Sequence, residues 1–356
     1  MNYKSFIFLI FPIFALTLFG QGCFGGGNQA TGPDGGVWKT ADRAENWTNK
    51  RALVDGPKVT AEAANISVRS MVFDPQDNKT IYLATDNLGL VHSNDAGDSW
   101  LKDTNLKLAR VYSVAVDPKN KCVVYVTSAN KIYKTENCTR DWEQIFFDPR
   151  TDKIFTQIVV DWFNPSILYA GTSEGDVFKS TDAGSSWQTS KRIEGTVVTA
   201  MVMDPRDSRV LYVGTSGDGI WKTLDGGNTW IHIEKQFGEE FREARRVTRI
   251  VVDPKVTDTI YIVSKYGIIK SPDKGEAWQA LVLPTPPSSI DISSFAIDPN
   301  DNKKMIYTSP TAVTLSSDGG VSWTSKKLPT TKAGSFLLID PKDGNIIYLG
   351  TQPPKK

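Results

Sequence analysis

Residues 168–187 contain Leu168-Tyr169-Ala170-Gly171-Thr172, a short turn, and then Val177-Phe178-Lys179-Ser180-Thr181-Asp182-Ala183-Gly184-Ser185-Ser186-Trp187. Two short runs rich in apolar and aromatic residues, separated by turn formers, are the mark of a β-hairpin. The second run leads into an eight-residue box, Ser/Thr-x-Asp-x-Gly-x-x-Trp. Glycine is expected in the box where φ is positive, and the carboxylate is expected to accept backbone N–H bonds inside the turn. The tryptophan is expected to pack within its own sheet.

Outward from this stretch the box recurs at Ser93–Trp100, Thr223–Trp230, Ser271–Trp278 and Ser316–Trp323, with aspartates Asp95, Asp225, Asp273 and Asp318. Two degenerate copies complete the set. Thr40–Trp47 keeps Asp42 but has Ala44 for glycine, and Thr135–Trp142 has Asn137 for aspartate and Thr139 for glycine. The seven tryptophans, Trp47, Trp100, Trp142, Trp187, Trp230, Trp278 and Trp323, lie 42 to 53 residues apart, the period of a four-stranded propeller blade. A second register gives the same number: seven apolar strands end in Asp74, Asp117, Asp161, Asp204, Asp253, Asp298 and Asp340. Each is followed by a turn and a strand bearing Tyr82, Tyr125, Tyr169, Tyr212, Tyr261, Tyr307 or Tyr348. Each unit therefore reads strand A, turn, strand B, turn, strand C, box, strand D.

The expected fold is all-β, a single seven-bladed β-propeller over residues 36–351, with 352–356 as a tail. The chain starts in mid-unit with strands C and D and finishes with strands A and B. These are expected to pair, which closes the ring and removes an exposed sheet edge. Seven repeated carboxylates arranged round a ring read as structural rather than catalytic.

The N-terminus has a basic start, MNYK, and an apolar run from Ser5 to Gly20, short for a membrane span. Residues 1–22 are expected to be a signal peptide. Gly20-Gln21-Gly22-Cys23 resembles the lipobox of bacterial lipoproteins, with Cys23 acylated, although Gly20 stands where leucine is usual. Ordinary cleavage and an uncleaved anchor are the alternatives. Residues 23–35, glycine-rich and polar, read as a lipid-anchored flexible tether. The expected location is the bacterial cell envelope, with a membrane-anchored lipoprotein, or a secreted protein if the lipobox is not used. In such a compartment Cys122 and Cys138, placed opposite each other by a hairpin centred near Asn130, are expected to form a disulfide. Two separate buried thiols are the alternative. A bridge there would compensate for hydrogen bonds lost in the degenerate box beside it.

The boxes and the Leu-Tyr-Ala-Gly-Thr strands resemble Asp-box (BNR-like) propellers: photosystem II assembly factors, the sortilin ectodomain, xyloglucanases and sialidases. The resemblance spans nearly all of residues 36–351 and implies a fold, which alone does not give an activity. Sialidases add an arginine triad and an Arg-Ile-Pro motif absent here. Xyloglucanases of this repeat type set two propellers face to face with aspartates in the cleft, whereas this chain has one. Asp291 and Glu194 are the only carboxylates considered as an acid-base pair, and no catalytic residue is assigned.

A formal net charge of +1 supplies no global basic surface for nucleic acid. Two histidines, His92 and His232, poorly supply a metal or a His-dependent nucleophile, so neither metal nor cofactor is expected. The partner expected is a protein or peptide, with a glycan as the alternative and the membrane reached only through the N-terminal lipid. Two D-to-A connections are long. One runs from about Thr48 to Ile66. The other, residues 234–246, is expected to form a short helix exposing Phe237 and Phe241 beside Arg242, Arg245 and Arg246. Together with Arg249, Arg69, Arg110, Tyr112 and Arg192 near strand-A starts, these residues are expected to gather positive charge around the channel. Photosystem assembly factors resemble this in using an arginine-rich face, which implies an acidic peptide partner.

Overall fold

The computed structural model describes residues 34–55, 58–62 and 66–353. The signal peptide, Cys23 and nearly all of the tether lie outside the described residues. Seven four-stranded antiparallel sheets form the ring, each in the order A-B-C-D. Blade 1 runs through Val68–Asp74, Asp77–Thr85, Leu90–Ser93 and Leu101–Lys102. Blades 2 to 6 follow in chain order, and each strand A touches the strand A of the next blade all round the ring. The seventh blade is composite: strands A and B are Ala333–Ile339 and Ile347–Gln352, strands C and D are Val37–Thr40 and Thr48–Lys50. Val37 pairs with Gly350 and Thr40 with Ile347, so the expected closure is present.

The box explains itself in hydrogen bonds. In blade 1 Ser93 Oγ donates to Asp95 Oδ1 at 2.7 Å and accepts from Gly97 N at 2.8 Å, while Asp95 accepts from Ser99 N and Ser99 Oγ at 2.9 and 2.6 Å. The fourth and fifth box residues both have positive φ, for example Ala183 at 55° and Gly184 at 91°. The fourth residue also donates its N–H to the carbonyl just before strand B, at 2.8 to 3.1 Å in all seven blades. The strand-A aspartates cap the A–B turn similarly: Asp161 Oδ1 accepts from Phe163 N at 2.7 Å and Asn164 N at 2.9 Å.

Blade 2 departs from the expectation in one respect. Asn137 keeps the bonds of the aspartate it replaces, accepting from Thr135 Oγ1 and Asp141 N at 3.0 Å each, so none is lost. Cys138 occupies the fourth box position and is joined to Cys122 by a disulfide. The two residues already share the hydrogen bond common to every blade, Cys138 N to Cys122 O at 3.1 Å.

The box tryptophans divide: the indoles of Trp187 and Trp323 bond a carbonyl of their own box, whereas those of Trp100, Trp142 and Trp230 reach the preceding blade. Trp142 Nε1 donates to Asp103 Oδ2 of blade 1 at 2.9 Å, and Trp230 Nε1 to Ser190 Oγ of blade 3 at 3.1 Å. Strand D is outermost, so the neighbouring blade offers its indole the nearest cover from water. Strand-C lysines add a second tie between blades. Lys39 Nζ donates to Ala96 O of blade 1 at 2.7 Å, and Lys179 Nζ to Gly226 O of blade 4 at 2.6 Å. Blade 6 has Leu315 at that position. There Arg43 of blade 7 reaches back to Ser316 O at 2.6 Å, so the tie is made from the other side.

Hydrogen bonds from the seventh box residue, Asn46, Ser186 or Thr229, are the main cause that holds Asp42, Asp182 and Asp225 down to about 2 from 3.8. Carboxylates depressed in the fold stabilise it fully above their unfolded value and lose that contribution as pH falls through the folded one. The expected result is acid unfolding that sets in below about pH 4 and is complete near pH 2. Tryptophan fluorescence against pH would follow it, and a flat trace over that interval would show that the boxes do not set acid stability.

Candidate partner-binding face

Because strands alternate in direction, the boxes and A–B turns emerge at one end of the ring. The B–C turns and D-to-A connections emerge at the other, and all the residues named as partner-binding candidates lie toward this loop face. The structure brings Arg69, Arg110 and Tyr112 together around Asp86, a residue the sequence reading did not single out. Asp86 sits in the B–C turn of blade 1 and accepts from Ser67 Oγ at 3.1 Å and from Arg69 Nε. Arg110 Nε lies 3.3 Å from the same carboxylate. Both guanidiniums lie by the Tyr112 ring, at 4.7 and 5.9 Å from its centroid, and two cations thus share one partly buried carboxylate.

Arg249 belongs to strand A of blade 5, Val247–Val252. Its side chain runs along the inner wall of the ring past blade 6, stacks 4.8 Å from the Phe336 ring and donates from Nη2 to Ser335 O at 3.3 Å. Burial pulls this guanidinium down to about 10, which leaves it charged at neutral pH. Among the described residues no carboxylate pairs with it, and Arg249 Nε has no hydrogen-bond partner, nor does Ser70 Oγ on strand A of blade 1. The guanidinium is half-buried, with Nε shut from solvent, and an oxyanion in the channel would give it a charge-assisted hydrogen-bond partner.

Two expectations are corrected. Phe237 and Phe241 are 1% and 5% exposed, not displayed to solvent. Residues 234–246 form two short 3-10 turns, Glu234–Phe237 and Arg242–Arg245. In them Phe237 packs on Trp278 at 5.4 Å and Phe241 on Tyr266 at 5.1 Å, which pins the loop to blade 5. A polar loop that crosses a blade junction needs such anchors, and the aromatic residues serve that purpose. Arg242 and Arg246 remain exposed, with Arg246 Nη1 3.9 Å from Glu243, and Arg245 is partly buried. They sit at the junction of blades 4 and 5, away from Arg69 and Arg110 at blades 1 and 2.

The rim is also less positive than the arginine count suggested. Asp176, 1% exposed, accepts from Arg192 Nε at 2.6 Å and Arg150 Nη2 at 2.7 Å. Asp291 pairs with Lys265 at 2.9 Å, and Glu194 is an exposed residue of the connection between blades 3 and 4. No group of three or more metal-binding side chains occurs among the described residues.

The fold is shared with solved propellers. A GH74 xyloglucanase from Xanthomonas campestris superposes with a TM-score of 0.68 at 17% identity, over 81% of this chain and 51% of the enzyme. The chain thus spans about half the length of that enzyme. YCF48 bound to D1 peptide superposes with a TM-score of 0.63 at 18% identity, over 82% of this chain and 94% of that one. YCF48 from Cyanidioschyzon merolae gives 0.63 at 12% identity, over 81% and 96%. The shared fold is a seven-bladed propeller. No protein-family model and no curated protein matches the chain. At these identities the likeness establishes the fold and leaves the activity open.

The remaining surprise on this face is residues 52–62. The long connection after blade 7 is a two-stranded hairpin, Ala52–Asp55 with Lys58–Glu62. It adds to the outer edge of blade 1: Val54 N donates to Trp100 O and Trp100 N to Ala52 O, both at 2.8 Å. The apolar run Ala52-Leu53-Val54 is the one sequence sign of a covered strand there, but no repeat register marks it. A third long connection, residues 281–293, was not singled out in the sequence.

Proposed function

We propose that this chain is a non-catalytic extracytoplasmic binding or assembly scaffold of the Asp-box class, sortilin-like in its repeats, which holds an acidic segment of a protein partner on its loop face. The observation that carries the reading is Arg249, a charged, half-buried guanidinium on the channel wall with no carboxylate partner among the described residues. A peptide carboxylate would supply the missing charge and accept charge-assisted hydrogen bonds, with Arg69 and Arg110 round the ring as a second cationic pair. The peptide bound by the structurally similar YCF48 supports peptide binding on this kind of scaffold. Export and acylation at Cys23 are part of the proposal. A glycan or glycoside-hydrolase role draws support only from the xyloglucanase likeness, and Asp291 is engaged by Lys265.

The test is fluorescence anisotropy with a fluorescein-labelled peptide carrying four consecutive glutamates. The full chain is expected to bind it, less tightly as salt rises. Arg249→Met is expected to weaken binding by about tenfold or more, the effect of losing a charged hydrogen-bond donor. The joint Arg69→Met and Arg110→Met variant is expected to weaken it further. Equal binding by wild type and Arg249→Met would overturn the assignment of the channel arginine, and no binding at any salt would overturn the acidic-partner reading.

A further inference from the structure

The connection from blade 5 to blade 6 arches over a cavity of about 410 Å³. Its walls are apolar, built from Tyr266, Ile268, Ala280, Leu283, Ile290 and Ile292. Its roof is the run Pro284-Thr285-Pro286-Pro287, where three prolines fix φ and so hold the cavity open without a ligand. Val282 stands at the rim, 78% exposed. Ser288 adds a polar side chain to the lining, and Thr285 Oγ1 within the roof is shut from solvent. The cavity is thus a largely apolar socket held under a stiff roof, the makings of a binding site.

Its surroundings indicate what fits. Lys265, next to the Tyr266 wall, donates its N–H to Arg246 O at 3.2 Å, so the exposed Arg246 side chain starts beside the socket. Arg249 lies three residues further on, in the strand that begins at Val247, and leads to the channel. We propose that the socket takes a single aliphatic side chain, such as leucine, from an extended acidic peptide. A neighbouring peptide carboxylate then meets Arg246. This rests on the acidic-partner reading and adds a hydrophobic anchor to it. The anchor sets which acidic sequences bind, since charge alone does not discriminate among them.

Two labelled peptides test it, identical and glutamate-rich except for one central residue, leucine in one and glycine in the other, each titrated with the full chain. The leucine peptide is expected to bind about tenfold more tightly, as burial of one aliphatic side chain implies. Ala280→Leu, which pushes a larger side chain from the wall into the socket, is expected to abolish that difference and leave the glycine peptide unchanged. Equal binding of the two peptides to the wild type would overturn the anchor while leaving the acidic-partner reading intact. Binding of neither would overturn both, and a leucine preference that survives Ala280→Leu would place the anchor elsewhere.

Discussion

Trp100→Ala is expected to lower the unfolding free energy by about 3–5 kcal/mol, the range for emptying a fully buried aromatic site. Trp100 is 0% exposed, whereas the other six box tryptophans retain partial exposure. The cause is the hairpin of residues 52–62, which pairs with the backbone at Trp100 while the indole Nε1 donates to Lys50 O at 2.8 Å. The same substitution at Trp187, whose indole bonds only Gly184 O of its own box, is expected to cost no more than roughly half as much. Urea unfolding of the two variants beside the wild type is the measurement. Equal losses would mean that the hairpin contributes nothing to the burial of Trp100.

The second large effect concerns blade 2. Reducing the disulfide, or replacing both cysteines by serine, is expected to cost about 3 kcal/mol, the loop-closure value for a loop of this size. The two cysteines are 16 residues apart. Serine can keep the backbone hydrogen bond from residue 138 to residue 122, so the loss would report the covalent link alone. Both positive-φ positions of this box carry non-glycine residues, Cys138 at 57° and Thr139 at 64°, so local strain works against the turn that the link secures. The comparison is the urea midpoint with and without a phosphine reductant. Coincident midpoints would show that the link adds nothing to the stability of the folded ring.

The architecture was legible in the sequence because one set of local hydrogen bonds is written out seven times. Ser93, Asp95 and Gly97 each have a stated bonding role, and the same chemistry recurs wherever those residue types recur. The site was legible only in part. Arg249 was found by its place at the start of a strand A, but its partner on blade 7 lies 86 residues away and nothing local announces it. Asp86 was missed because its arginines lie 17 and 24 residues off, across a turn and a blade junction. Phe237 and Phe241 were misjudged because a loop dense in charge reads as solvated. Only the packing against Trp278 and Tyr266 shows that the aromatic residues are anchors.

The composite seventh blade carries a practical consequence. Strand C begins at Val37 opposite Gly350, and strand B runs out through Gln352, so both ends of the ring's chain leave through the loop face. A tag, fusion or surface linkage at either end would crowd the arginines meant for a partner and compete with what it was meant to detect. The box turns project from the opposite end, and Val321 there is 80% exposed. A cysteine placed at that position, coupled to a sensor surface, would present the loop face outward with its approach unobstructed.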